Sequence, residues 1–198
     1  DQRTIRRELL ILLAIFLLPA LYAGPGRVDP NLFERPSSHL ALLIQNVPRI
    51  LLLLYLMERD GEGWVRRFGL SVTVGRLPLA AVGVAVLLLA TSAATNGAAQ
   101  LTGLEGEAPF VFDSPSLAIY LLSALSLLSV GYMEELFFRS YAITRLEQLG
   151  LSRWTTIFLS ALLFSLGHLY QGVQGVLFAL LAGTILGEIY RRTRSVHP

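Results

Sequence analysis

Residues 116–149 read SLAIYLLSALSLLSVGYMEELFFRSYAITRLEQL, and on this stretch the fold turns. It is thirty-four residues of mostly apolar chain, about 50 Å long as one α-helix. A spanning helix needs about 20 apolar residues. The stretch can therefore cross a bilayer, and must tilt, break or extend past it. Within it stand Glu134, Glu135 and Arg139. An ionisable side chain at the centre of a spanning helix costs on the order of 2.5–3.5 kcal/mol, and is a functional candidate for that reason.

The rest of the chain has the same character. It is 54% hydrophobic and 15% charged, with a mean hydropathy of +0.59, where a soluble domain is about a quarter charged. Six apolar stretches stand out, at residues 9–24, 40–57, 77–98, 116–149, 154–170 and 173–190. The first and fifth are short for a span. The composition predicts an all-α, polytopic transmembrane bundle of about six spanning helices. There is no cysteine, so disulfide and thiol chemistry are excluded. All sixteen basic residues are arginine, a hint of GC-rich coding and a bacterial source. The chain starts at Asp1 and stops at RRTRSVHP just after an apolar run, so both ends are read as cut.

Arginines set the expected topology. Arg3, Arg6 and Arg7 before a short apolar run also suit a signal peptide, but Leu21 and Ala23 make a poor cleavage site and five apolar stretches follow. With the N-terminus in the cytoplasm, six spans put Arg59, Arg66, Arg67, Arg76, Arg145, Arg153, Arg191, Arg192 and Arg194 inside, as the positive-inside rule asks. The outer loops then hold only Arg27 and Arg35, and residues 97–115 hold Glu105, Glu107 and Asp113 with no base. The expected location is a bacterial cytoplasmic membrane, with both ends inside. Pro25, Pro30 and Pro36 break the first outer loop, Gly150 and Gly172 separate the last helices, and a short interfacial helix is expected around residues 64–68.

The charged cluster divides on helix geometry. Glu135 and Arg139 are four apart in the acid-first order and pair on one face. Glu134 points about 100° away, toward Phe138. Glu135 is thus paired and ionised, and Glu134 is left for its surroundings to tune; such a division often marks an acid/base site. Phe164 and His168 in FSLGH also share a face, and His168 is expected inside an apolar helix. Glu134 lies seventeen residues before Leu151 and His168 seventeen after it. In an antiparallel hairpin both sit about 25 Å from the turn, where a carboxylate and an imidazole can touch one water. The blander alternatives are an ion pair at a helix end, with Arg145 and Glu147 already in water, and an interhelical hydrogen bond from the histidine.

EELFFR fits an E-E-x-x-x-R motif, FSLGH fits F-x-x-x-H about thirty residues on, and FALLAGTILGEIYRRTRS follows with spaced glycines, a tyrosine and an R-T stretch. In order and spacing these resemble the CPBP family, the CAAX protease and bacteriocin-processing membrane proteins, also called Abi. The resemblance covers residues 116 to the end. It divides the chain into N-terminal transmembrane helices at 1–115 and a CPBP-like catalytic core at 116–198, packed as one membrane domain. It implies an intramembrane glutamic protease in which Glu134 is the general base, His168 shares its water, Glu135 and Arg139 fix the geometry, and Phe164 packs beside His168. The family pattern continues with a further His followed four residues later by Asn or Asp. The chain ends at Pro198 before that helix, so the resemblance implies that the family's last helices are missing, and His197 is not given their role.

Other residues carry plainer expectations. Gly183 and Gly187 make a packing face. Glu188 is expected to be solvated or paired with arginine, Pro48 to kink its helix, and Gln45, Asn46 and Arg49 to form interhelical hydrogen bonds in preference to lining a polar cavity. His39 is expected to be incidental. The expected partners are membrane lipid and a peptide or protein substrate, not nucleic acid; no motif calls for a cofactor or a metal. Three functions compete: an endopeptidase acting on a membrane-associated or lipidated substrate, a metallopeptidase using Glu134, Glu135 and His168 as ligands, and a non-enzymatic scaffold or immunity protein.

Overall fold

The structure is a computed structural model that describes residues 1–23, 34–71, 77–103 and 116–197. Pro25, Arg27, Pro30, Arg76, Glu105, Glu107 and Asp113, on which part of the expected topology rests, lie outside the described residues. The described chain is helical: α1 Gln2–Ala23, α2 Pro36–Glu58, α3 Trp64–Arg67, α4 Leu77–Thr102, α5 Leu117–Glu134, a π-helical segment Glu135–Ile143, α6 Thr144–Gln148, α7 Arg153–Leu166, a 3₁₀ turn Leu169–Gln171, and α8 Gly172–Thr193. Helices satisfy their own backbone groups, which lipid cannot do. Among the described residues, four are long and apolar enough to cross a membrane: Pro36–Glu58, Val82–Leu101, Leu117–Gln148 and Leu169–Thr193.

The expected helical bundle is therefore observed, with two of its six stretches falling short of a full apolar span. The N-terminal turns of α1 carry Arg3, Arg6, Arg7 and Glu8, and α7 has only 14 residues, about 21 Å of rise. The thirty-four-residue run does not break. It passes from α to π geometry at Glu135 and back at Thr144, which re-aims its second half without ending the helix.

Interhelical polar pairs fix the packing. From α2 to α5 they join His39 to Ser123 and Ser126, Asn46 to Ser129, and Met57 to Ser140, at sequence offsets of 83 to 87. A near-constant offset means that α2 and the long helix run parallel. His39, expected to be incidental, is fully buried between the two serines, at 2.9 Å from Ser126 Oγ and 3.0 Å from Ser123 Oγ. The α7–α8 hairpin closes on glycine: a Cβ added at Gly183 would stand 3.1 Å from Ala161 Cα and 3.2 Å from Phe164 Cδ1.

Charges gather at one end of the bundle. Arg145, only 4% exposed rather than in water, reaches Asp60 at 2.5 Å and Glu8 at 3.5 Å. Tyr141 donates to Glu8 at 2.7 Å, Arg67 pairs with Asp60, and Arg194 pairs with Glu147 at 2.7 Å. Glu188 is paired with Arg153, Arg191 and Arg192. The same end is stitched where Val196 N donates to Gly69 O at 2.9 Å. Gly69 has φ +68, and a Cβ there would meet Arg194 O and Tyr190 Cε2 at 2.8 Å, so glycine is required.

Candidate active site

The site forms where the short α7 stops. Gly167 follows Leu166, and its N–H closes the last turn on Leu163 and Phe164 carbonyls. His168 therefore stands two residues past the helix end, not inside it. Its φ of −106° and ψ of 12° fall near the bridge region where active-site residues often sit. Because α7 is short, this end lies at the depth of Glu134 in the middle of the neighbouring helix.

The imidazole is held on both sides. His168 Nδ1 lies 2.8 Å from the Phe164 carbonyl. A carbonyl only accepts, so the proton is on Nδ1, and Nε2 of the neutral ring presents its lone pair. That nitrogen faces Glu134, with Nε2 4.0 Å from Oε1. The Phe164 ring packs edge-on at 4.5 Å and Tyr170 stacks at 6.1 Å. Tyr170, whose hydroxyl accepts from Gln171 Nε2 at 2.8 Å, is a site neighbour the motif reading missed; its place two residues after His168 was the available signal.

Glu135 and Arg139 form the expected pair, Oε1 to Nε 3.3 Å, on the π-helical segment. Arg139 is 1% exposed, and its guanidinium carbon lies 4.2 Å over the Phe164 ring. None of its three side-chain nitrogens has a hydrogen-bond partner among the described residues. Its charge is thus held by one carboxylate and one aromatic face. Phe164 is the shared element, with Arg139 against its ring and His168 on its carbonyl and edge. Phe138 supports it from the long helix at 5.2 Å.

The π geometry widens the helix, and neighbours use the groups it re-aims. Ser160 of α7 donates to the Phe138 carbonyl and Ser140 donates to the Phe68 carbonyl, both at 2.6 Å. Single-turn π insertions are frequent at functional sites. The five residues singled out in the sequence thus meet in one place: Glu134 with His168, Glu135 with Arg139, and Phe164 between the pairs. His197 lies beside Tyr132, two residues before Glu134 on the long helix, with the two rings 5.9 Å apart.

Chemically, two hydrogen-bond acceptors face each other across 4.0 Å, too far for a direct bond. Among the described residues no group of three His, Cys, Asp or Glu side chains is arranged to hold a metal ion.

The comparisons bear on the same region. Residues 116–198 match the family model described as Type II CAAX prenyl endopeptidase Rce1-like. Searches of curated proteins and of solved structures found no match. The matched stretch contains Glu134, Glu135, Arg139, Phe164 and His168. Over residues 116–198 the chain is thus similar to the Rce1-like family, consistent with the resemblance of its motifs to the CPBP family of CAAX proteases.

Proposed function

We propose that this integral membrane protein hydrolyses a peptide bond in a membrane-associated or lipidated protein, using a water shared by Glu134 and His168. The family match supports a CAAX-type intramembrane protease in general. The observation that carries the finer reading is the 4.0 Å separation of Glu134 Oε1 and His168 Nε2, with Nδ1 already committed to the Phe164 carbonyl. A water between them donates one hydrogen to each acceptor and turns a lone pair outward. As it attacks the peptide carbonyl, its proton passes to Glu134, which then gives it to the leaving amine. His168 holds and orients the water through Nε2. Arg139 and Glu135 keep the segment's charges fixed within a water-poor site, where they act strongly. The tetrahedral oxyanion needs donors besides these residues.

The charged end of the bundle, rich in arginine, is proposed to face the cytoplasm. The metal-dependent alternative draws no support from the described ligand geometry, and Arg139 beside the carboxylates disfavours a cation. Cleavage of a prenylated peptide by purified wild type and by the Glu134→Gln variant tests the reading. Loss of cleavage in a folded variant supports it; full activity removes it.

A further inference from the structure

Arg49 is the charged group that this chemistry leaves unused. It lies in α2, thirteen residues after Pro36 and nine before Glu58, so about 20 and 14 Å from the two helix ends. Neither membrane surface is within reach of its side chain. Its depth is that of the site: 85 positions separate Arg49 from Glu134, inside the 83 to 87 offset that pairs α2 with the long helix. The other arginines buried in the bundle each have a carboxylate, Arg139 from Glu135 and Arg145 from Asp60. Arg49 has none among the described residues. One Nη donates to the Ile15 carbonyl at a long 3.4 Å, and the guanidinium lies 5.4 Å from the Phe16 ring. A guanidinium has five N–H donors, and this half-buried one uses a single weak bond.

Its surroundings lead to the site. Phe16 stacks on Phe137 at 4.2 Å, three residues after Glu134. The next residue, Leu17, borders Gly167, where an added Cβ would be 3.8 Å from Leu17 Cδ2. Gly167 precedes His168. The α1 turn that Arg49 touches is thus the wall beside the water-holding histidine.

A cation at this depth without a counter-charge is expensive, and a guanidinium matches a carboxylate bidentately. Resting on the protease reading above, we infer that Arg49 is a carboxylate-binding subsite that positions the peptide substrate next to Glu134 and His168. The carboxylate belongs to the peptide, at its C-terminus or on an acidic side chain, because lipid headgroups do not reach mid-membrane depth. Arg49 is therefore a positioning and specificity residue.

Binding of a labelled, farnesylated short peptide to the protein in zwitterionic nanodiscs tests this. Three probes are compared: one ending in a free carboxylate, one in an amide, and one in an amide with a glutamate just before it. The free-acid probe should bind wild type at least about tenfold more tightly than the plain amide. Arg49→Gln should erase that preference and Arg49→Lys should keep part of it. If the glutamate probe also binds tightly, a side-chain carboxylate is accepted as well; if only the free acid does, the terminal carboxylate is the ligand. Equal affinity for all three on wild type overturns the subsite, as does affinity that follows added anionic lipid instead of the peptide carboxylate. The wild-type comparison stands even if Arg49→Gln does not fold. The same preference is expected in Glu134→Gln, so loss of the subsite is distinguishable from failure of the catalytic reading.

Discussion

His168 Nε2 faces Glu134 Oε1 at 4.0 Å while its other nitrogen is bound to the Phe164 carbonyl. The histidine's tautomer and its aim are therefore set by its own helix, and the carboxylate meets it from the neighbouring one. The predictions below follow from that relationship and from the packing that maintains it.

Removing the Glu135 charge should expose the cost of Arg139. Arg139 is almost wholly buried with Glu135 as its carboxylate. Breaking a buried pair by deleting one partner typically costs about 3–5 kcal/mol, while replacing both by apolar groups is often neutral. Glu135→Gln should lower the unfolding temperature in detergent sharply, and Glu135→Gln with Arg139→Leu should recover much of it. Additive losses in the double variant would show that the two residues do not act as a pair.

Gly183 should report on Phe164. The added Cβ of Gly183→Ala meets Phe164 Cδ1 at 3.2 Å and Ala161 at 3.1 Å, so the hairpin must part by a few tenths of an ångström. Overpacking of this kind costs typically about 1–3 kcal/mol. Because Phe164 carries both Arg139 and His168, peptide cleavage should fall more for Gly183→Val than for Gly183→Ala, tracking the size of the added side chain at the contact. Cleavage assays on the two variants, alongside unfolding curves, check this.

The pair at the site was legible in the sequence because a helical hairpin makes depth countable from its turn: Glu134 and His168 are equally far from Leu151 along the chain, and Glu135–Arg139 follows from helix periodicity. The π segment was not legible, since ELFFRSYAI has no composition that separates π from α geometry. His39 looked incidental because its partners Ser123 and Ser126 are more than eighty residues away, and only the parallel packing of α2 on α5 brings them together. Arg145 looked solvated at a helix end; Asp60 and Glu8, arriving from other elements, bury it.

Acid should loosen the charged end. Burial would push the Asp60 carboxyl up, but hydrogen bonds from Arg145 and Arg67, with their charges, outweigh it and hold the group below its usual range. A carboxyl lowered on folding stabilises the fold at pH above its unfolded pKa of about 3.9. That contribution is lost as pH falls through the lower folded value. The unfolding temperature should drop in that acid window, and Asp60→Asn should be less stable near neutrality with a shallower acid decline. Parallel curves for the two proteins would contradict this.

Topology offers an independent check. With the arginine-rich end inside, reporters fused at the N-terminus and after α8 should both read as cytoplasmic, and a reporter inserted between α4 and α5 should read as external. An external reading at either end would reverse the proposed orientation.

The central claim is that Glu134 acts as the base for a water it shares with His168. The most direct measurement is the cleavage rate of a prenylated peptide by Glu134→Gln, relative to wild type, on protein shown to be folded by its unfolding curve. General-base catalysis is typically worth about 10²–10⁴-fold, so the rate should fall by at least about a hundredfold with little change in unfolding temperature. A folded variant that cleaves within about twofold of wild type would contradict the claim, since catalysis of that order would then not pass through Glu134.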